Sequence, residues 1–424
     1  MKKKLLFIFA LSAGISNAQN YLHQALVLNE GYQDYTTGEI LVPVTVGSYD
    51  PINDVYNSID TLFGMRFASD LLIDQGYYYI AADTKIFKFD LNTNTQVAVV
   101  DCPGVRNLGI YQNKLIATRG EYQQYDSYLH VYDASNLSLI VAIDTAQGPK
   151  YASQNIVVDG SSAYIAVNNG FDWGNEKGFV GKLDLNTLTY GNELDLGPDG
   201  KNPDNLVKVG SFLYTVNNKD WSGSSVSKIA LDGTSNSTVN IATASTGCGT
   251  SALRDDKLVY QISMENTLNE FDINLMNVVG PVNGHSLSYY ELAQEPVSGN
   301  LYTSETDYFS FGKVHIFSSN NDELTSFDVG VSPGTIVFDV RPISAGLVNE
   351  VLSFGISPNP TEGLFTIENI QEGDYFVTDI AGKLIINGKI TDNQQVDLSN
   401  VLPGYYIVNV SNGTSSGVQK VLVR

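Results

Sequence analysis

One short pattern recurs six times along the middle of this chain: an apolar residue, two free positions, a second apolar residue, then usually Asp. It reads Ile86…Phe89-Asp90, Leu129…Tyr132-Asp133, Val180…Leu183-Asp184, Val226…Ile229-Ala230, Leu268…Phe271-Asp272 and Val314…Phe317-Ser318, at intervals of 42 to 51 residues. A strand-like segment precedes each: Tyr79-Ile80-Ala81, Leu115-Ile116-Ala117, Tyr164-Ile165-Ala166, Tyr214-Thr215-Val216, Tyr260-Gln261-Ile262 and Leu301-Tyr302-Thr303. Turn chemistry follows in Asp90-Leu91-Asn92-Thr93, Asp133-Ala134-Ser135-Asn136 and Asp184-Leu185-Asn186-Thr187, because Asp and Asn side chains bond the backbone two residues on. A unit near 45 residues with four short strands has the dimensions of a β-propeller blade. Blades close near residues 104, 150, 201, 246, 286 and 334. The segment Tyr21 to Gly64 supplies most of a seventh, which the strand Thr335 to Arg341 completes. Joining both ends in one blade leaves the ring no open edge. The fold class expected is all-β: a seven-bladed β-propeller followed by a small antiparallel β-sandwich. Six or eight blades, a sandwich or a β-helix are the alternatives.

The two ends differ from this middle. Met1, Lys2-Lys3-Lys4, an apolar run from Leu5 to Leu11 and Ser16-Asn17-Ala18 have the order of a secretory signal, so residues 1–18 are expected to be removed. The run is too short to span a bilayer as a helix, and no Cys follows it to carry a lipid. The propeller is then expected over 19–342, a linker over 343–351 and a second domain over 352–424. In that last domain, Phe365-Thr366-Ile367, Tyr375-Phe376-Val377 and Tyr405-Tyr406-Ile407-Val408-Asn409-Val410 alternate with period two, as strands of a small sandwich do. The prolines of Ser357-Pro358-Asn359-Pro360 bar that stretch from a central strand.

Composition removes several function classes. With 46 Asp+Glu against 24 Lys+Arg and a net charge of −22, the chain lacks the basic surface that a nucleic acid requires. Two cysteines exclude a disulfide scaffold; Cys102 and Cys248 fall in blades two and six and are read as free buried thiols. There is no His-Glu-x-x-His, Gly-x-Ser-x-Gly or Walker loop. Of the four His, His130 and His315 hold the same place in two blades and read as strand residues. Asp90-Leu91-Asn92-Thr93-Asn94 lacks the Gly and distal Glu of a calcium loop and reads as a turn. Nothing calls for a metal or cofactor. Asp204 with Asp172 is an acidic pair whose spacing alone decides nothing.

Propeller geometry sorts the loops. With strands A to D counted outward from the axis, B–C loops and D–A links share one face, and the A–B and C–D turns share the other. The A–B turns are short, as in Asp74-Gln75-Gly76 and Asp159-Gly160-Ser161. The B–C loops gather aromatic and polar residues: Arg119-Gly120-Glu121-Tyr122-Gln123-Gln124-Tyr125, Asn168-Asn169-Gly170-Phe171-Asp172-Trp173-Gly174-Asn175, Asn217-Asn218-Lys219-Asp220-Trp221-Ser222-Gly223 and Glu305-Thr306-Asp307-Tyr308-Phe309. Both tryptophans follow an Asp in equivalent loops. Rings supply contact area and amides or charges fix orientation, so this face suits a small polar ligand with a flat face. The ligand-binding residues expected are Arg66, Arg106, Tyr122, Tyr125, Trp173, Asn205, Trp221 and Tyr308, with no catalytic and no metal-binding residue.

Two resemblances add to this reading. Ser357-Pro358-Asn359-Pro360, Asp379-Ile380-Ala381-Gly382-Lys383, Leu402-Pro403-Gly404-Tyr405-Tyr406 and Lys420-Val421-Leu422-Val423 resemble the type A sorting domain of the type IX secretion system. That likeness implies engagement with the type IX machinery, export through the outer membrane, and removal of the tail with release or attachment to surface lipopolysaccharide. The repeat form resembles YVTN-type seven-bladed propellers. Val27-Leu28-Asn29-Glu30-Gly31 is similar to the opening of surface propellers that accompany TonB-dependent transporters, cobalamin-capturing ones included. This second likeness implies capture of a ligand such as a corrinoid and partnership with an outer-membrane transporter, although those relatives are lipoproteins. The function expected is therefore non-catalytic binding of a small molecule or glycan by a secreted or outer-surface protein. The alternatives are a lactonase- or lyase-like propeller enzyme with a metal, and a surface scaffold or adhesion protein.

Overall fold

The computed structural model describes residues 20–220, 222–247, 250–342, 352–380, 382–391, 394–412 and 415–424. The signal segment, Trp221, Cys248 and the expected linker 343–351 lie outside the described residues. The chain divides into two compact units, one of Leu22–Pro51 with Val55–Asp339 and the other including Val340–Arg424.

The first unit is a ring of seven antiparallel four-stranded blades. Blades two to seven are built in sequence order. Their innermost strands are Asp70–Asp74, Val105–Tyr111, Ser153–Asp159, Pro203–Val209, Ser251–Arg254 and Glu291–Gln294. Blade one takes Asn20–Asn29, Val44–Asp50 and Val55–Leu62 from the beginning and Pro333–Pro342 from the end, the last being innermost. The expected closure by Thr335 to Arg341 is thus observed, one strand in from the chain's start. Blade four has a split outer strand, Thr189–Tyr190 and Leu194–Asp195, both paired with Phe179–Asp184.

Period-two alternation explains why the blades stack. In Tyr77–Ala82, Tyr78, Ile80 and Ala82 face blade one, where they meet Leu26, Leu28, Val44 and Val46. Tyr79 and Ala81 face blade three and meet Leu108, Leu115 and Tyr132. The same division gives a core between each successive pair. The last core, with Tyr302, Val314 and Ile316 against Ala25, Val27 and Ile336, joins blade seven to blade one. Each strand must therefore be apolar on both faces where it is inner, which the near-continuous apolar runs supply.

The turns work as their residues dictate. Asp90 Oδ1 accepts the backbone N–H groups of Asn92 and Thr93, both at 2.9 Å, and Asp184 Oδ1 accepts those of Asn186 and Thr187 at 2.9 and 2.8 Å. Asp90-Leu91-Asn92-Thr93-Asn94 is a turn in the structure. The tight A–B turns place Gln75, Gly76, Gln112 and Asp255 in the left-handed region, the conformation that two-residue hairpins require. The B–C segment of blade one carries a hairpin, Tyr32–Gln33 with Ile40–Val42, that the repeat pattern does not announce.

The second unit is a small sandwich. A three-stranded sheet (Gly355–Ser357, Leu364–Glu368, Gln395–Asp397) and a four-stranded one (Leu384–Ile390, Gly373–Asp379, Gly404–Ser411, Ser416–Val423) enclose Phe365, Ile367, Val377, Val396, Val408 and Val421. Asn359 donates from Nδ2 to the Lys420 carbonyl at 2.6 Å and accepts from the Leu422 N–H at 3.0 Å. The proline-flanked segment and the terminal Lys-Val-Leu-Val strand, far apart in sequence, are therefore one local structure.

Candidate functional site

The seven innermost strands start on the loop face, and their first residues surround the axis. Aligned on the apolar residue that turns into each interblade core, the preceding residue is Asp70, Asn107, Asn155, Asn205, Ser251, Glu291 or Thr335. Several of these stitch one blade to the next. Asp70 Oδ2 accepts the Leu108 N–H at 2.7 Å, Asn155 Oδ1 accepts the Leu206 N–H at 3.1 Å, and Asn205 Nδ2 donates to the Ser251 carbonyl at 2.7 Å. Buried backbone groups need such partners where blades converge.

One residue earlier, the ring reads Ser69, Arg106, Gln154, Asp204, Thr250, Tyr290 and Gly334. A side chain at Gly334 would collide with the Glu30 carboxylate and come within 3.1 Å of the Tyr290 ring. Glu30, from the end of blade one's second strand, therefore fills the place that the glycine leaves open. Tyr290 OH donates to Glu30 Oε1 at 2.8 Å.

Four carboxylates thus gather at the axial mouth with one arginine. Glu30, Asp70, Asp204 and Glu291 keep a little solvent contact and are otherwise walled in by protein. Burial raises Glu30 and Asp70 to about 7 against the pull of their hydrogen bonds. Burial also raises Asp204 to about 6, with Arg106 opposing. Glu291 is pushed well above its ordinary value by burial and then by the charges of Asp70 and Glu30. Arg106 donates to Gln154 Oε1 at 3.2 Å and lies 5.6 Å from the Phe67 ring centre and 5.1 Å from that of Phe171. A guanidinium flanked by ring faces keeps its plane and charge oriented.

The residues expected from sequence fall into this frame unequally. Arg66 pairs with Asp83 at 2.6 Å and Glu121 at 3.1 Å and lies over Phe67, which it shares with Arg106. Tyr122 is 73% exposed and meets Phe171 edge-on at 5.5 Å, so it stands at the outer rim of the same cluster. Gly120 is what lets Phe171 come this close, since a Cβ there would meet its ring at 2.9 Å. Tyr308, half exposed with φ +69°, sits edge-on to Tyr290 at 5.3 Å and so reaches Glu30 through it. Tyr125 lies under Arg119 at 4.0 Å and fills the space above Gly104. The amide of Asn205 is held by Ser251, which gives it a blade-joining role. Trp173 is 72% exposed; Trp221 is outside the described residues. Asp172 is bonded to Asn175 and Asp204 to Asn218, in separate networks.

Sequence reasoning missed Glu30, Asp70, Glu291, Phe67 and Gln154. The available signal was positional: each acid but Glu30 precedes the apolar residue opening an innermost strand.

A cavity of about 200 Å³ adjoins the mouth between blades six and seven, lined by Thr246, Thr250, Gln261, Ser263, Tyr290 and Tyr308 among others. A larger cleft of about 400 Å³ lies between blades four and five beside the split outer strand, with Lys182, Asp184 and Asp232 at its rim. It holds none of the expected residues. The histidines occupy structural positions: His130 is bonded to Arg119 and Tyr132 and pushed down to about 4 by burial and then by Arg119, and His315 lies between Glu305 and Glu323. Cys102 is buried and free, and burial raises its thiol. Among the described residues no three His, Cys, Asp or Glu side chains are arranged to hold a metal ion.

Residues 355–424 match the secretion system C-terminal sorting domain. This chain carries a type IX sorting domain. The sorting domain directs the protein through type IX secretion to the cell surface or the extracellular space. No curated protein matches the chain. Among solved structures, it is similar to the extracellular domain of a one component system from B. thetaiotaomicron, with 13% identity and a TM-score of 0.51 over 96% of this chain and 59% of that one. It thus spans less than two thirds of that relative. It is also similar to a hypothetical selenium-binding protein from Sulfolobus tokodaii (9% identity, TM-score 0.56, 75% of this chain and 93% of that one). A third is a quinonprotein alcohol dehydrogenase-like protein from Bacteroides thetaiotaomicron (15%, 0.53, 76% and 79%). At these identities the likeness is one of fold.

Proposed function

We propose that the propeller is a non-catalytic capture protein whose loop face takes up a small polar ligand presenting a flat ring. The observation that carries this reading is Arg106, set beside Phe67 and Phe171 and near the half-buried carboxylates of the axial mouth. Oriented charge next to half-buried ring faces suits a small-molecule site, and a chain exported to the surface meets such ligands there. Tyr122 beside Phe171 and Tyr308 beside Tyr290 stand exposed without belonging to the interblade cores, and Trp173 is exposed in the B–C loop of blade four. The sequence resemblance to surface propellers of the cobalamin-capturing kind favours a corrinoid; the aromatic and amide loops equally favour a glycan. On the same resemblance the captured ligand passes to an outer-membrane transporter. The domain limits, 19–342 for the capture unit and 352–424 for the tail, belong to this proposal.

A thermal-shift screen with corrinoids, glycans and divalent metals tests it. A binder should raise the Tm in proportion to its affinity, and replacing both Trp173 and Trp221 with Ala should abolish that shift while leaving the unliganded Tm intact. Undiminished affinity in the double variant ends this reading.

A further inference from the structure

The loop of blade four that presents Phe171 and Trp173 contains an acid that the capture reading does not use. Glu176 is only 4% exposed. Its Oε1 accepts the Gly174 N–H at 3.0 Å, which turns the carboxyl back into its own loop. Its Oε2 is enclosed by protein and has no hydrogen-bond partner among the described residues. No salt bridge among those residues includes it, and the adjacent Lys177 lies over the Tyr151 ring instead, at 5.1 Å. A carboxylate taken out of water with one oxygen idle is costly, and a proton, a water or a cation relieves it.

The rest of the loop favours the cation. Asp172 Oδ1 accepts from Asn175 Nδ2 at 3.0 Å, while its Oδ2 has only a 3.4 Å contact from Asn169 Nδ2. Asn169 Nδ2 also donates to the Asn175 carbonyl at 3.1 Å. The carbonyls of Phe171, Trp173 and Gly174 accept no hydrogen bond among the described residues. Calcium takes about six to eight oxygens from carboxylates, carbonyls and water, so two acids suffice where carbonyls are to hand. Such a site differs from a triple of His, Cys, Asp or Glu, which the described residues do not form. Blade five shows the same Asp-Trp pair without the buried acid. There Ser222 closes Asp220 with its own N–H and hydroxyl, at 3.4 and 2.5 Å. A buried Glu is therefore no requirement of a loop that carries Asp-Trp.

We propose that this loop of blade four is a calcium site. Glu176 Oε2 and Asp172 supply the charge, and loop carbonyls with water complete the shell. The ion fixes the loop, and with it Phe171 beside Arg106 and Trp173 at the exposed tip. A net charge of −22 draws cations to the protein, and type IX export delivers it to the cell surface or beyond. Extracellular modules hold calcium with dissociation constants of roughly 10⁻⁴ to 10⁻³ M. The inference goes beyond the capture reading and does not depend on it, because the ion belongs to the loop whatever the face takes up.

The test strips the full chain with a chelator and adds back calcium, magnesium or sodium chloride at matched ionic strength. Calcium at about 5 mM should raise the Tm by about 2 °C or more. Magnesium, which demands a tighter octahedral shell, should do less than half as much, and sodium nothing. Terbium, which takes calcium's oxygen shell and emits when a nearby indole is excited, should bind and be displaced by calcium. In Glu176→Gln both the calcium shift and the terbium emission should vanish, while the Tm without calcium holds or rises because a buried unpaired charge has gone. Trp173→Phe should lose most of the terbium emission and keep the calcium shift, which locates the ion in this loop. Asp172→Asn, on the exposed side of the loop, repeats the Glu176→Gln arm should that variant not fold. Absence of a calcium shift, equal shifts from calcium and magnesium, a shift that survives in Glu176→Gln, or terbium emission unchanged in Trp173→Phe overturns the site. None of these outcomes bears on the corrinoid and glycan arms of the thermal-shift screen, which decide the capture reading separately.

Discussion

The interblade cores and the axial ring are built from the same seven strands, yet they obey opposite rules. Between blades the residues are alike: Ile80, Leu115, Ile165 and Leu213 each do the same work at a different joint. Around the axis, one residue before the positions that stitch the blades, no two blades agree, and the ring runs from Ser69 and Arg106 through Gln154 and Asp204 to Thr250, Tyr290 and Gly334. Where a repeat protein repeats, its residues hold the ring together. Where it stops repeating in a place that geometry forces to be equivalent, something other than folding has chosen the residue.

That contrast can be broken first at its structural side. Ile80→Ala removes a fully buried side chain from the joint of blades one and two and should cost about 2–5 kcal/mol, read as a lower urea midpoint with an unchanged slope. Asn155→Ala leaves the Leu206 N–H without its partner. It should cost about 1–3 kcal/mol without touching ligand affinity, which separates the stitching residues from the binding ones. Arg106→Ala should do the reverse, weakening ligand binding by about tenfold or more, roughly 1.4 kcal/mol, with a smaller change in Tm.

The pH dependence sharpens the same line. Glu30 and Asp70, near 7, and Asp204, near 6, have folded values above those of the unfolded chain, so the folded state binds more protons between about pH 4 and about pH 7. Their contribution is fully present below that window and is lost as pH rises through it. The Tm should therefore fall from mildly acid to mildly alkaline pH. Asp70→Asn, which keeps an oxygen for the Leu108 N–H, should flatten that fall; an unaltered slope would show that Asp70 does not titrate there. The smallest effect is expected at the rim: Tyr122→Ala should change stability by no more than about 0.5 kcal/mol while lowering affinity measurably.

The blades were legible because a propeller writes its strands locally. Tyr79-Ile80-Ala81 and Ile86…Phe89-Asp90 declare two strands and a turn, and the spacing repeats them. Strand direction puts the D–A links of Arg66 and Arg106 on the same face as the B–C loops of Tyr122 and Tyr308, and that much is readable from the repeat. The hairpin Tyr32–Val42 was missed because it belongs to one blade only, and periodicity cannot report what occurs once. The residue type of Asn205 suits a ligand contact; that its amide nitrogen bonds Ser251 is a fact about the next blade, which its own segment does not carry.

The sequence by itself determined that this chain makes a ring of like sheets and carries an export tail, since periodic burial and local turn chemistry are properties of short segments. Only the tertiary structure decided which residues meet at the axis. Glu30, Asp70, Arg106, Asp204 and Glu291 are separated by up to 261 residues in the chain, and what gives each carboxylate its altered acidity is not its own segment but the neighbours and the loss of water that ring closure brings.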